Sequence, residues 1–299
     1  MEREIGQEGR LVRPGEVVAV RSGVLDAVRA REEVTPGDLL ALGDRVVLQV
    51  VGDPPGGASG SVAAPGEPVR VRVLVGGEVR DGDPVRRLRP SRDLAVVVLA
   101  GGRSTRFGSD KRRARAGDGR TLLEQAIWKA RQVTGEVLLS VGAHEGTMAA
   151  AGAITVADEV PDAGPLGGLV ASLGVCRAPV AVVFAVDQPG VTADLLRVLA
   201  IRREGPGVFL RHGEDLHPLP CALDRAVVLS GLASALASGR RALHRALLAV
   251  GLDAVEVASL ADLGPWEALL TNVNEPRDAE SLKDRCPGNA SGDPHPADR

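Results

Sequence analysis

Hydrophobic and polar positions follow two different patterns along the chain, and the change falls near residue 94. Before it, short valine-rich runs are separated by Gly, Pro and Asp, and residues 69–75 alternate with the period of two that is typical of a half-buried strand. After it, apolar runs of strand length alternate with segments whose apolar residues recur at helical spacing. The pattern predicts an all-β part followed by an α/β part.

The second pattern is regular enough to place individual elements. Strands that alternate with helices indicate an open, mostly parallel sheet covered on both faces. We therefore expect a three-layer α/β/α Rossmann-like domain, in which a ligand binds beyond the carboxyl ends of the strands. The predicted strands are residues 94–99, 137–141 and 180–186, and the predicted helices are residues 121–133 and 166–175.

The same patterns divide the chain into segments. We expect residues 1–93 to form a small β-rich accessory domain and residues 94–283 to form the α/β domain, with residues 86–93 joining the two. Residues 284–299 are rich in Pro, Gly and Asp and have no periodicity, which predicts a disordered tail.

Composition and charge exclude several classes of function. A formal net charge of −3, a pI of about 6.0 and only 2% aromatic residues argue against a nucleic-acid partner. The chain has neither an apolar run long enough to cross a bilayer nor a signal-like start, so it is predicted to be cytoplasmic and to have no membrane partner. Three widely separated cysteines, Cys176, Cys221 and Cys286, predict neither a disulfide framework nor a zinc site.

The segment after the strand at 94–99 carries the strongest chemical signal. Gly101 and Gly102 follow the strand at once, and glycine lets the main chain approach a ligand closely. Arg103, Arg106 and Lys111 then place three cations within nine residues, which suits a polyphosphate. The segment lacks the Gly-Lys-Ser/Thr of a P-loop, and a solvated basic loop is the alternative interpretation.

Asp187 is the second candidate. It follows the predicted strand 180–186 directly, and a carboxylate at that position suits Mg²⁺, which takes one or two carboxylates together with phosphate oxygens and water. A turn or helix-capping role is the alternative for such an aspartate.

Residues 99–111 resemble the signature of the molybdenum cofactor guanylyltransferases, which are molybdopterin nucleotidyltransferases. Further segments follow in the family's order, and the resemblance covers about residues 94–283. These segments are Gly119–Glu124, Ala157-Asp158, Gly164–Leu169, Val186–Pro189, His217-Pro218 and Asn272–Pro276.

The resemblance implies roles for individual residues. Arg106 and Lys111 would bind phosphates and act with Asp187 in catalysis, while Asp187 and Asn274 would hold Mg²⁺. Ser140 stands where some members have an asparagine that contacts the nucleotide. The implied nucleotide-binding residues are Leu99, Ala100, Gly101, Gly102, Lys111, Ser140, Asp158 and Asp187.

The implied activity is transfer of GMP from GTP to molybdopterin or its molybdenum form, with release of pyrophosphate and with Mg²⁺ as cofactor. A molybdoenzyme or another cofactor-biosynthesis protein would be a further partner. The Gly101-Gly102 pair favours GTP, since a missing Cβ beside the base leaves room for a purine. Three alternatives remain open: a CTP-dependent cytidylyltransferase, a sugar-phosphate or terpenoid-precursor nucleotidyltransferase, and a non-catalytic molybdopterin-binding chaperone.

The first domain has a weaker resemblance, to the barrel-sandwich hybrid fold of biotinyl and lipoyl domains. Val24 and Val28 recur as Val69 and Val73, an offset of 45 residues, which indicates two copies of one β unit. Such carriers attach their cofactor to a lysine, and residues 1–93 contain none. We therefore expect an accessory or docking domain rather than a carrier.

Overall fold

The computed structural model describes residues 24–29, 36–42, 46–50, 68–76, 85–101, 111–115, 119–142, 152–158, 160, 163–273 and 278. Within these residues, the first part of the chain forms a five-stranded sheet and the second part a seven-stranded sheet. The predicted tail lies outside the described residues. No helix in the described part of the chain is long and apolar enough to cross a membrane.

The first sheet is antiparallel throughout, with the strand order β1-β4-β3-β2-β5. Adding 45 to the residue numbers of β1 gives those of β4, and adding 45 to those of β2 gives those of β5, each to within one residue. In the sheet, β1 pairs with β4 and β2 pairs with β5. The strands are β1 (Val24–Arg29), β2 (Leu39–Leu42), β3 (Val46–Val50), β4 (Pro68–Val75) and β5 (Val85–Leu88).

The second sheet has the strand order β12-β10-β11-β9-β6-β7-β8. Every residue of β6 is buried, because helices cover both faces of the sheet at its centre, and this explains the continuous apolar run. The strands are β6 (Leu94–Leu99), β7 (Glu136–Val141), β8 (Ile154–Ala157), β9 (Val180–Ala185), β10 (Gly207–His212), β11 (Asp215–Asp224) and β12 (Asp253–Glu256).

Strand direction fixes where the loops of this sheet meet. β6 is parallel to β7 and β9, and β7 is parallel to β8. β11 is antiparallel to both β9 and β10, and β12 is parallel to β10. Among the described strands, β11 alone therefore runs against the other six, so β10 and β12 end at the same edge as β6 to β9.

Helices lie on both faces of this sheet and complete the predicted three layers. Helices α2 and α4 pack on one face, while α3, α5 and α6 pack on the other. The helices are α1 (Pro90–Asp93), α2 (Leu122–Val133), α3 (Gly164–Val175), α4 (Ala193–Arg202), α5 (Arg225–Ala237), α6 (Leu243–Ala249) and α7 (Trp266–Leu269), with 3₁₀ segments at Lys111–Arg113 and Val257–Leu263.

The two sheets share one hydrophobic core. Strands β2, β4 and β5 pack against α4, and β4 also packs against the 3₁₀ segment Val257–Leu263. The Gly76 amide donates a hydrogen bond of 2.8 Å to Asp262 Oδ2, and Arg86 forms an ion pair with Glu204. Residues 86–93, which the sequence predicts to join the two parts, form most of β5 and all of α1.

Candidate functional site

Strands β6, β7, β8 and β9 end side by side at one edge of the second sheet, which we call the carboxyl edge. Main-chain hydrogen bonds extend past the strand ends and fix the loops to one another. The Ala100 amide donates to the Ser140 carbonyl at 2.9 Å, and the Val186 amide donates to the Leu99 carbonyl at 3.0 Å. Predicted site residues from separate parts of the sequence are therefore neighbours at this edge.

Gly101 closes the first of these loops against the second. A Cβ at this position would lie 3.1 Å from the Gly142 nitrogen and 3.4 Å from the Val141 carbonyl carbon. The missing methyl group thus makes room for the protein's own main chain. The prediction that Gly101 leaves space for a purine is corrected accordingly, and Gly102 lies outside the described residues.

Ser140 and Asp158 meet beneath the first turns of helix α3. A Cβ on Gly168 would lie 2.0 Å from Ser140 Oγ and 2.8 Å from Asp158 Oδ1, so only glycine lets the helix approach so closely. Ser140 is 2% exposed, and the Asp158 amide donates to the Val141 carbonyl at 3.1 Å. The Gly-Pro-Leu-Gly-Gly segment is therefore the packing surface for these two polar side chains.

Asp187 lies in the turn that follows β9 and is partly exposed at the carboxyl edge. Its carbonyl accepts a 2.8 Å hydrogen bond from the Val273 amide, which brings the chain just before Asn274 to this turn. Asn274 itself lies outside the described residues. The turn that carries Asp187 thus lies between the loop after β6 on one side and the chain at Val273 on the other.

The side chains of Gln188 and Lys129 hold this turn, although the sequence assigned no role to either. Gln188 Oε1 accepts from the Ala185 amide at 2.9 Å, and its Nε2 donates to the Leu219 carbonyl at 2.9 Å. Lys129, on α2, donates from Nζ to the Pro189 carbonyl. The scarcity of lysine was a signal for Lys129, because it is one of only three in the chain.

The basic segment is described in part. Lys111 begins a 3₁₀ turn, and the side chain of the next residue, Arg112, donates from an Nη atom to the Ala100 carbonyl at 3.5 Å. This contact places the turn over the end of β6. The side chain of Lys111 and all of Arg103 and Arg106 lie outside the described residues, so their phosphate-binding role stays a prediction.

The described cysteines belong to the hydrophobic core. Cys176 and Cys221 are buried and free. Burial, together with the charge of Glu136, raises the pKa of the Cys176 thiol to about 11, and burial also raises the pKa of Cys221. Both thiols are therefore protonated at neutral pH and are poor nucleophiles.

The carboxylates of Asp158 and Asp187 offer oxygen donors at the carboxyl edge. Within the described residues, no three His, Cys, Asp or Glu side chains lie close enough together to form a metal cage. A single, partly exposed carboxylate such as that of Asp187 is compatible with Mg²⁺, which completes its shell with water and substrate phosphates.

Comparison with known proteins agrees with this geometry. The family model described as a MobA-like NTP transferase domain matches residues 96–255. A probable molybdenum cofactor guanylyltransferase from Opitutus terrae is 34% identical over 198 residues, covering 64% of this chain and 96% of that protein. Another from Chloroflexus aggregans is 35% identical over 202 residues, covering 64% and 93%.

A solved structure shows the same fold. Molybdopterin-guanine dinucleotide biosynthesis protein A from Archaeoglobus fulgidus superposes with a TM-score of 0.53 at 21% identity, over 63% of this chain and 96% of that one. The matched family segment includes most of β6, the turn at Asp187 and the buried residues beneath α3. The chain therefore belongs to the MobA-like NTP transferase family and is a nucleotidyltransferase.

Proposed function

We propose that this nucleotidyltransferase moves GMP from GTP to molybdopterin, or to its molybdenum form, and releases pyrophosphate. The observation that carries the proposal is the carboxyl edge, where Gly101, Asp158 and Asp187 follow the ends of β6, β8 and β9 in a chain similar to proteins named molybdenum cofactor guanylyltransferases. In the reaction, a phosphate oxygen of the pterin attacks the α-phosphorus of GTP. The bond from that phosphorus to the bridging oxygen breaks, and pyrophosphate leaves with the bond electrons.

Such a transfer needs the nucleotide and acceptor to be held in line, with charge compensation on the phosphates. Gly101 and Asp158 lie at the ends of β6 and β8, so they would contact the nucleotide from that half of the edge. Arg106 and Lys111 would supply the cations for the departing β- and γ-phosphates. The contact between Arg112 and the Ala100 carbonyl supports this, because it brings the basic segment to the end of β6.

Mg²⁺ suits the oxygen donors present, and Asp187, with Asn274, would hold it at the turn after β9. When bound, it would neutralise charge on the transferring phosphoryl group. Gln188 and Lys129 would keep the carboxylate of Asp187 in place through the main chain of its turn. A cytoplasmic location and a molybdoenzyme partner stay predictions.

Side-by-side turnover tests the choice of nucleotide. The purified chain is given molybdopterin, Mg²⁺ and either GTP or CTP, and both pyrophosphate and the dinucleotide product are measured. We expect product with GTP and at least tenfold less with CTP. Preference for CTP would replace the proposal with the cytidylyltransferase alternative, and binding of molybdopterin without turnover would favour the chaperone alternative.

A further inference from the structure

A cavity of about 330 Å³ lies beside the carboxyl edge, on the opposite side of Asp187 from Gly101 and Asp158. His212 and Trp266 form part of its wall, and the rest comes from the 3₁₀ segment Val257–Leu263 and from Gly264 and Pro265. The proposed nucleotide contacts do not reach it, since they come from the β6–β8 half of the edge. The cavity is thus a second place where a ligand could approach the same turn.

Topology brings this cavity near the reacting centre. His212 is the last residue of β10, which runs in the same direction as β9 and is separated from it only by β11. Phe209 and Val183 both pair with Cys221, and neighbouring strands are about 4.8 Å apart, so β9 and β10 are separated by roughly 10 Å at that level. His212 lies three residues further along β10, beyond a register shift. His212 therefore stands at the carboxyl edge, two strands away from the strand that leads to Asp187.

Helix α7 connects the cavity to Asp187 directly. It begins at Trp266 and packs so closely on the turn after β9 that a Cβ on Gly190 would lie 1.7 Å from the Ala268 carbonyl oxygen. After α7 the chain runs back to this turn, where the Val273 amide donates a hydrogen bond to the Asp187 carbonyl. The wall that carries Trp266 and the turn that carries Asp187 are consequently one packed unit.

The shape and chemistry of the wall suit a flat aromatic ring. The rings of His212 and Trp266 are stacked, with centroids 3.9 Å apart and an angle of 22° between the planes. The chain has no tyrosine, two tryptophans and 2% aromatic residues, so an aromatic pair at the rim of an otherwise aliphatic cavity is unusual for this composition. Its volume is at the lower end for ligand pockets, enough for a fused heterocycle rather than a whole dinucleotide.

We propose that this cavity binds the pterin ring of the acceptor, with the ring against the His212–Trp266 pair and its phosphate directed toward Asp187. This assignment rests on the proposed function, which supplies a pterin phosphate as the acceptor. It places the acceptor on the side of Asp187 away from the nucleotide contacts, from which its phosphate oxygen would approach the α-phosphorus opposite the departing pyrophosphate oxygen. Trp266 and His212 are then acceptor-binding residues.

Binding of a model pterin tests the assignment without requiring turnover. Neopterin monophosphate is titrated with the full chain while its own fluorescence, excited beyond tryptophan absorption, is followed, because stacking on an indole quenches it. We expect saturable quenching by the unaltered chain. Trp266→Leu and His212→Ala should each raise the Kd about tenfold, the order expected for loss of one stacking contact.

Trp128→Leu is the matched control, because Trp128 lies on α2 and contacts Arg120 rather than the cavity. It should leave the Kd unchanged, and Trp266→Phe, which keeps a ring, should retain most of the binding. In turnover, Trp266→Leu should raise KM for the pterin and leave KM for GTP unaltered. Quenching that depends on Trp266 would support pterin binding in the cavity even if GTP were not a substrate.

Two results would overturn the assignment. One is a Kd for neopterin monophosphate that is the same in the unaltered chain, Trp266→Leu and His212→Ala. The other is competition by GTP for the quenching site, together with a raised KM for GTP in Trp266→Leu, which would identify the cavity as a nucleobase site.

Discussion

At the scale of single residues, the position of Asp187 depends on contacts made by its neighbours in the turn. Lys129 reaches from α2 to the Pro189 carbonyl, two residues beyond Asp187, and its side chain is partly buried. A hydrogen bond from a charged donor to a partly buried carbonyl is stronger than one from a neutral donor. Removing the donor leaves the carbonyl without a hydrogen-bond partner. Lys129 is therefore a positioning residue for the turn, although it does not touch substrate.

Lys129→Met keeps the aliphatic stem and removes the donor. We expect kcat to fall about tenfold with little change in KM, because the carboxylate of Asp187 loses its fixed position rather than its charge. Gln132→Met, at an exposed position on the same helix, is the control and should behave as the unaltered chain. Steady-state kinetics with both substrates measures this, and equal kcat values for the two variants would mean that the Lys129 contact has no catalytic consequence.

At the scale of elements, α2 shows how the sequence fixes a helix that supports the site. Thr121 is the N-cap, and its Oγ1 accepts from the Glu124 amide at 3.2 Å. Glu124 Oε2 accepts in turn from the Thr121 amide at 2.8 Å and from the Thr121 hydroxyl at 2.9 Å. These hydrogen bonds, the backbone one first, lower the pKa of Glu124 below its ordinary 4.5.

The lowered pKa gives the cap a defined pH dependence. Because the folded-state pKa of Glu124 lies below the unfolded-state value, its charged carboxylate stabilises the folded chain. This contribution to the free energy of unfolding is complete above about pH 4.5 and is lost as the pH falls through the folded-state pKa. Thr121→Ala should cost about 1 kcal/mol at pH 7. The stability difference between the unaltered chain and Glu124→Gln should be larger at pH 7 than at pH 3.5, as measured by urea unfolding. A difference independent of pH would contradict the capping role.

At the scale of the whole molecule, the two sheets unfold together if their shared core is the main source of stability. Leu39 on β2 and Leu196 on α4 are both fully buried in the same cluster. Leu39→Ala should cost about 2–5 kcal/mol and lower the Tm of the whole chain in a single transition. Leu248→Ala, at a position 41% exposed on α6, should change stability by less than about 0.5 kcal/mol. Two separate calorimetric transitions, with only one shifted by Leu39→Ala, would contradict a common core.

The sequence predicted the elements whose signal is local. β6, β7, β9, α2 and α3 agree with the predicted bounds to within one or two residues, because a buried strand or an amphipathic helix repeats its pattern within its own length. The edge strand β8 has only four residues, a single one of them buried, and so gives almost no pattern. Nothing local indicates that β11 runs against its neighbours.

The residues of the candidate site also differ in whether a local sequence pattern reveals them. Asp187 could be found because it follows a predicted strand that reaches the carboxyl edge. Asp158 follows β8, whose pattern is too weak to predict a strand, and only the family resemblance pointed to it. Lys129 joins a turn 60 residues further along the chain, and the wall made by His212 and Trp266 depends on β11 reversing direction. Such contacts are set by the packing of whole elements, and no motif in the sequence carries them.

The central claim is that Asp187 at the carboxyl edge is the carboxylate on which nucleotidyl transfer depends. Pyrophosphate release from GTP and molybdopterin should therefore be compared in the unaltered chain, Asp187→Asn and Asp253→Asn, at saturating Mg²⁺. Asp253 is an exposed aspartate at the beginning of β12, on the opposite edge of the sheet. We predict that Asp187→Asn lowers kcat on the order of a hundredfold or more while the chain stays folded, because it removes an anionic ligand without a change of shape. Asp253→Asn should keep full activity, and an Asp187→Asn variant as active as Asp253→Asn would contradict the account.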